Sequence, residues 1–277
     1  MLWKRCLLMG ISLFALQGIA AGQLLVGYDE SAASGADQAW NVDPASAAAS
    51  PLWGGAAPVW GMAYGDGTIY ANDGSRLWAA ALGGAPVPLG TMTDANGANQ
   101  AMVGLAWADG GLYSSKNNAN EAIYNIDLNT LVATVAFDYE DGDYDFGGLA
   151  YSPADGLFYG TNDDATPNGT GLYSIDVFGG GGINLVAPYP DGETDIDGLA
   201  IGNGVAYLVE DEAGETIHPY DLNAGMYLPS ILSPMQSNEV FAGAAWVPEP
   251  TCGGLLWGAL LVGLAGRAGR RSLRQAG

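Results

Sequence analysis

The sequence predicts an all-β fold, a single five-bladed β-propeller over residues 23–247. Three observations predict it. A glycine-led word recurs as "GMAY" from Gly61, "GLAW" from Gly104, "GLAY" from Gly148, "GLAI" from Gly198 and "GAAW" from Gly243, at intervals of 43, 44, 50 and 45 residues. Two further strand-like columns follow each of the first four words. The first unit lacks its word, and the last word lacks its followers. A period near 45 residues, with alternating strands and Gly/Asp turns, is the signature of propeller blades.

The chain opens "MLWKRCLLMGISLFALQGIAAGQ". Lys4 and Arg5 form a basic start, an apolar run follows over 7–18, and small residues follow over 19–22. This pattern predicts a secretory signal helix over residues 1–22, cleaved after Ala20 or Gly22. A retained N-terminal anchor is the alternative. Cys6 precedes the apolar run and so does not stand where a lipoprotein cysteine would.

Within the body, the second column reads "TIYAND" from Thr68, "LYSSKN" from Leu112, "LFYGTND" from Leu157 and "AYLVED" from Ala206. The third reads "LWAAA" from Leu77, "IYNID" from Ile123, "LYSID" from Leu172 and "IHPYD" from Ile217. A variable fourth segment, such as "TLVATVAF" or "INLVAP", completes each unit. Four short strands joined by Gly, Asn and Asp turns make one blade. After the signal peptide, "QLLVGYDE" matches the second column and "AWNVD" the third. Their missing first strand is "VFAGAAWV" from Val240, so one blade is shared between the two ends of the body and the ring closes without an open edge. That count gives five blades; a sixth has room only in the irregular segment 44–60.

Alternation explains the word. Neighbouring side chains on a strand point to opposite faces, so Leu149 and Tyr151 share one face and Gly148 and Ala150 the other. Bulk against near-absence lets successive blades nest. Tyr64, Trp107, Tyr151 and Trp246 recur at one position, with Ile201 in the fourth word. This recurrence favours inter-blade core over a sugar-stacking platform. Trp53 and Trp60 stand outside the columns and remain freer candidates.

His218 is the only histidine, so any Ser-His-Asp or Cys-His scheme must use it. Its column is otherwise aromatic (Trp40, Trp78, Tyr124, Tyr173), which favours packing over catalysis. Asp43, Asp127, Asp176 and Asp221, three residues further on, read as turn residues that bond their own backbone. The acids before two of the words are less easily explained by turns. Asp141, Asp143 and Asp145 alternate ahead of Gly148, and Asp191, Glu193, Asp195 and Asp197 alternate ahead of Gly198. Both stretches lead into inner strands at the same rim of the ring. Clustered hard oxygen ligands suit Ca²⁺, and Asp141, Asp143, Asp145, Asp195 and Asp197 are the candidate ligands. A solvated acidic rim is the other reading, and the fold requires no cofactor. The spacing is not that of an EF-hand, because the twelfth position from Asp141 is Ser152. P-loop, zinc, nucleophile-elbow and dinucleotide patterns are absent.

The tail reads "VPEPTCGGLLWGALLVGLAGRAGRRSLRQAG". A short apolar stretch over 253–266, read as a membrane helix, runs into Arg267, Arg270, Arg271 and Arg274. Those arginines would hold the tail on the cytoplasmic side. The Pro248-Glu249-Pro250 triplet, the apolar segment and the basic cluster, in that order, resemble the PEP-CTERM sorting tag. The resemblance covers about 30 residues, 248–277. It implies transient insertion in the inner membrane, processing by an exosortase-type enzyme and release to the cell surface or medium. It also implies a role beside exopolysaccharide or other envelope components. A plain tail anchor is the alternative, and Cys252 has no evident role.

Outside these two ends the body holds two basic residues, Arg76 and Lys116, against 29 acids, a formal charge of −27. Such a surface repels phosphate backbones, which excludes nucleic acid as a partner. Both cysteines lie outside the body, so disulfides do not hold it. The expected function is an exported, non-enzymatic binding or structural module of the envelope or matrix. The alternative is a Ca²⁺-dependent hydrolase, similar to propeller lactonases or phytases, with a carboxylate-lined channel.

Overall fold

The computed structural model describes residues 22–29, 37–54, 58–139, 142–190, 192–211, 216–234 and 241–248. The expected signal and membrane helices therefore fall outside the described residues. So do Asp141, Glu249, Pro250, Arg267, Arg270 and Arg271. No helix among the described residues is long and apolar enough to cross a membrane.

Five sheets make up the ring. β1 (Gln23–Tyr28), β2 (Asp37–Val42) and β3 (Ala49–Gly54) belong to the first blade. The second is β4 (Gly61–Gly65), β5 (Thr68–Asn72), β6 (Arg76–Ala81) and β7 (Val87–Thr91). The third is β8 (Leu105–Ala108), β9 (Gly111–Lys116), β10 (Ala122–Ile126) and β11 (Ala133–Asp138). The fourth is β12 (Phe146–Ser152), β13 (Leu157–Asn162), β14 (Gly171–Ile175) and β15 (Ile183–Pro188). The fifth is β16 (Gly198–Gly202), β17 (Val205–Val209) and β18 (Thr216–Asp221), edged by β19 (Met226–Tyr227) and β20 (Ile231–Leu232). Finally β21 (Ala242–Val247) returns to the first blade, giving the order β21-β1-β2-β3. It pairs antiparallel with β1 along its whole length, from Gln23 opposite Val247 to Tyr28 opposite Ala242. The described residues of segment 44–60 hold no sixth blade: the strand among them, β3, is the outer strand of the first, with Trp53 opposite Ala39.

Turn chemistry sets the hairpins. β4–β5, β8–β9 and β16–β17 are joined by Asp66-Gly67, Asp109-Gly110 and Asn203-Gly204, each pair with both φ angles positive. That is the two-residue turn whose twist matches the flanking strands. The four aspartates at the ends of the third strands cap the next turn. The Asp127 carboxylate accepts the Asn129 N–H (2.8 Å), Asp176 that of Gly179 (2.7 Å), Asp221 that of Asn223 (2.8 Å) and Asp43 that of Ala45 (3.0 Å).

The innermost strands β4, β8, β12, β16 and β21 meet in a closed circuit, each touching its two neighbours. Five apolar clusters fill the five joints. In each, the large face of one word packs on the small face of the preceding blade. Leu105 and Trp107 lie on Ala63, Leu149 and Tyr151 on Ala106 and Ala108, Leu199 and Ile201 on Ala150, and Met62 and Tyr64 on Ala245. At the last joint Trp246 packs beside Ala200 and stacks on Tyr207, with ring centroids 5.5 Å apart. Trp107 stacks in the same way on Tyr70, at 5.4 Å.

Four of the five leading glycines face the backbone of the next inner strand, and Gly198 faces Val209 of its own blade and Ala242. A Cβ on Gly61 would stand 2.1 Å from the Val103 carbonyl oxygen, one on Gly104 2.5 Å from the Leu149 nitrogen, and one on Gly148 2.5 Å from the Asp197 carbonyl oxygen. Polar side chains at one position of the second strand complete the contact: Gly104 N–H donates to Ser115 Oγ (3.0 Å), Gly148 N–H to Thr161 Oγ1 (2.7 Å), and Asn72 Nδ2 to the Val103 carbonyl (3.0 Å). Replacing Gly104 by Ala should therefore lower stability by about 1–3 kcal/mol through overpacking. Ala at Gly182, where an added Cβ meets nothing within 4 Å, should change it little. Denaturant unfolding of the two variants reads the contrast; equal stability would remove the close-approach account of the word.

Candidate functional site

At one rim of the ring, where second strands end and words begin, the chain gathers carboxylates. The lead-in to β16 starts with Tyr189 and carries Asp195, Ile196 and Asp197. Ile196 is fully buried and anchors the segment in the joint between the fourth and fifth blades. Its N–H donates to Asp163 Oδ1 (3.0 Å), and the Tyr189 hydroxyl donates to the same oxygen (2.8 Å). Asp163 follows β13, so one carboxylate ties the end of the fourth blade's second strand to the approach of the fifth blade's first. Carboxylate oxygens of Asp163, Asp195 and Asp197 all lie within 4.8 Å of one another.

Two more acids border this group. Asp145 leads into β12; its N–H donates to Asn162 Oδ1 (2.6 Å) and its carbonyl accepts the Asp163 N–H (3.1 Å). Its Oδ1 is buried without a hydrogen-bond partner. Asp211 follows β17 and is buried too. Asp197 is only 4% exposed, and what acts on its carboxyl is burial and neighbouring acids, with no hydrogen bond to offset them. That side chain lies over Gly147, where an added Cβ would fall 2.1 Å from Asp197 Oδ1.

Electrostatics follow from burial. Loss of solvation pushes the Asp145 carboxyl up to about 6, against an Asn117 hydrogen bond and with the charges of Asp164, Glu121 and Asp195. Burial raises Asp163 well above the carboxylate range although Ile196 N–H and Tyr189 O–H favour its charged form. Asp197 is raised in the same way, first by burial and then by Asp163, Asp211, Asp195 and Asp145. The body's two cations do not compensate here. Arg76 pairs with Asp73 (3.4 Å), and Lys116 donates to Gln100 Oε1 (3.2 Å).

Of the sequence candidates, Asp195 and Asp197 meet one another and Asp145 borders them. Asp143 is half-buried outside the group, its carbonyl accepting Asn168 Nδ2 (3.0 Å). Asp163 and Asp211 were not among the candidates. Their signal was present in the second column, where "TND" and "VED" end in Asp just past the strand.

The remaining candidates stand apart from this group. His218 is buried on β18; its Nε2 contacts Glu210 Oε1 and Thr216 Oγ1, and its Nδ1 faces Ser230 Oγ (3.2 Å). Trp53 is buried in the joint between the first two blades. Trp60 stacks on Phe241 at 4.1 Å and donates to Asp29 Oδ2 (3.0 Å). The ring's interior is a cavity of about 60 Å³ bounded by the five words, from Met62–Tyr64 round to Ala244–Trp246. Pro248 is exposed just after β21.

A carboxyl held above its ordinary range binds its proton more tightly in the folded chain than in the unfolded one. Its contribution to stability is therefore fully present below pH 3.8 and is lost as pH rises through about 6. In chelating buffer, wild type should lose stability relative to Asp145→Asn between about pH 4 and 7. Thermal melts of the two proteins across that window test it; parallel profiles would contradict the raised carboxyl.

No protein-family model matches the sequence, and no curated protein matches it. Solved structures do. A chain of the nidogen/laminin complex is similar at a TM-score of 0.55 and 13% identity, covering 82% of this chain and 98% of that one. A Bacteroides thetaiotaomicron protein of unknown function is similar at a TM-score of 0.49 and 14% identity, covering 75% of this chain and 58% of that one. At such identity the likeness to the nidogen/laminin chain is one of fold, and it agrees with the propeller built above.

Proposed function

We propose that the chain is an exported, surface-sorted propeller acting as a non-enzymatic binding or structural module of the cell envelope or exopolysaccharide matrix. One observation carries this reading. The ring's interior is a cavity of about 60 Å³ lined by the five words, with no carboxylate among its lining residues. Recognition then falls to the rims and outer strands, where large apolar side chains such as Val87, Val135, Leu185 and Leu232 lie exposed. The same observation weighs against a channel hydrolase, because the carboxylates collect at a joint between blades instead of lining a substrate-sized cleft. Sorting rests on the two ends of the sequence: an export signal over 1–22, and the PEP triplet, apolar stretch and arginine cluster over 248–277.

Mixed with exopolysaccharide of the producing cell, the exported protein should co-sediment with the polymer and leave its chain length unchanged. Shortened polymer, or no co-sedimentation, would overturn the module reading.

Processing gives a separate test. Mass spectrometry of the exported protein should find a C-terminus close to Pro250 and no peptide containing Arg270. A mature protein that keeps "RAGRR" in the inner membrane would leave a tail-anchored propeller in its place.

A further inference from the structure

We propose that the joint between the fourth and fifth blades is a binding site for a calcium-class cation, with Asp163, Asp195 and Asp197 as ligands and Asp145 beside them. The site goes beyond the module reading and holds whichever polymer or protein the rims bind.

Close carboxylates alone are common on acidic surfaces and imply nothing. Here two observations point to a missing partner. Asp197 is 4% exposed, its carboxylate lies within 4.8 Å of those of Asp163 and Asp195, and burial of this one group is offset by no hydrogen bond. Asp145 Oδ1 is likewise buried without a hydrogen-bond partner. A buried, unpartnered carboxylate is costly and is ordinarily satisfied by a countercharge or a ligand. The body's own cations are engaged elsewhere, Arg76 with Asp73 and Lys116 with Gln100. The countercharge must therefore come from solution.

Donor chemistry chooses among ions. The donors are all carboxylate oxygens, without sulfur or imidazole, which suits hard cations over zinc or copper. Calcium accepts irregular carboxylate sets, whereas magnesium demands a near-ideal octahedron and keeps several of its waters. Its position also gives the ion a structural effect. Asp163 comes from the end of β13, whereas Asp195 and Asp197 lead into β16. A bound cation would bridge adjacent blades at the rim and neutralise the acids that the joint forces together.

Calcium titration calorimetry on the chelator-stripped protein at neutral pH should give saturable binding at one ion per chain, with weaker binding of magnesium. Asp163→Asn and Asp195→Asn should each weaken calcium at least tenfold, whereas Asp66→Asn in a distant hairpin should leave it unchanged. Asp195 is exposed, so its variant keeps the test valid where a buried change unfolds the ring. Terbium offers a measurement on wild type alone. Its emission should be sensitised by Tyr189, which bonds Asp163, and quenched by calcium in competition. No saturable calcium binding, equal affinity for magnesium, or binding that survives Asp163→Asn and Asp195→Asn would overturn the site.

Discussion

Five inner strands meet around one axis only where their backbones approach with no side chain between them. The leading glycines Gly61, Gly104, Gly148, Gly198 and Gly243 supply that approach, each facing the start of the next blade's inner strand or its neighbouring residues. Everything outward follows from this contact. Once the strands converge, the next inward position admits only Ala63, Ala106, Ala150, Ala200 or Ala245, and the opposite face must carry the bulk that fills the joint. Gly65 and Gly202 extend the same logic: an added Cβ on either would fall 2.0 Å from the indole of Trp107 or Trp246. The aromatic column is thus the complement of the glycine column, displaced by one blade.

Convergence also explains why charge is trapped at the rim. The residue before each leading glycine lies where neighbouring blades are closest, and at four of the five joints it is Trp60, Val103, Gly147 or Ala242. In the fifth blade it is Asp197, a carboxylate in a position otherwise apolar or empty. Gly147 makes the room for it. The same backbone geometry that seals the ring therefore forces Asp197 against Asp163 and Asp195, and burial keeps Asp197 and much of Asp163 from solvating separately.

Much of this was legible from the residues. The spacing of the words, the faces of Leu149 and Tyr151, the shared first blade and the capping role of Asp127 and Asp221 are all local or periodic, and periodic signals survive without coordinates. Trp53 was less legible because β3 joins β2 through two register shifts, which break the alternation that marks a core residue. The composition of the carboxylate group was illegible for a different reason. Asp163 belongs to another hairpin, and nothing in linear spacing states that its oxygen meets Ile196 N–H. The lead-in "TDIDG" announced acids at a rim but not their partner across the joint.

The pairing of β21 with β1 has a kinetic side. Gln23 and Val247 are opposite one another, yet every other strand of the ring lies between them in the chain. Vectorial synthesis or translocation delivers β1, β2 and β3 first, and their sheet must wait with a bare edge until the last strand emerges. The ring therefore cannot mature blade by blade from its beginning. Its final joint is a long-range contact whose loop-closure cost falls late, on an almost complete molecule. Until that moment β1 is an open template for any passing strand, including the β21 of a second copy of the chain.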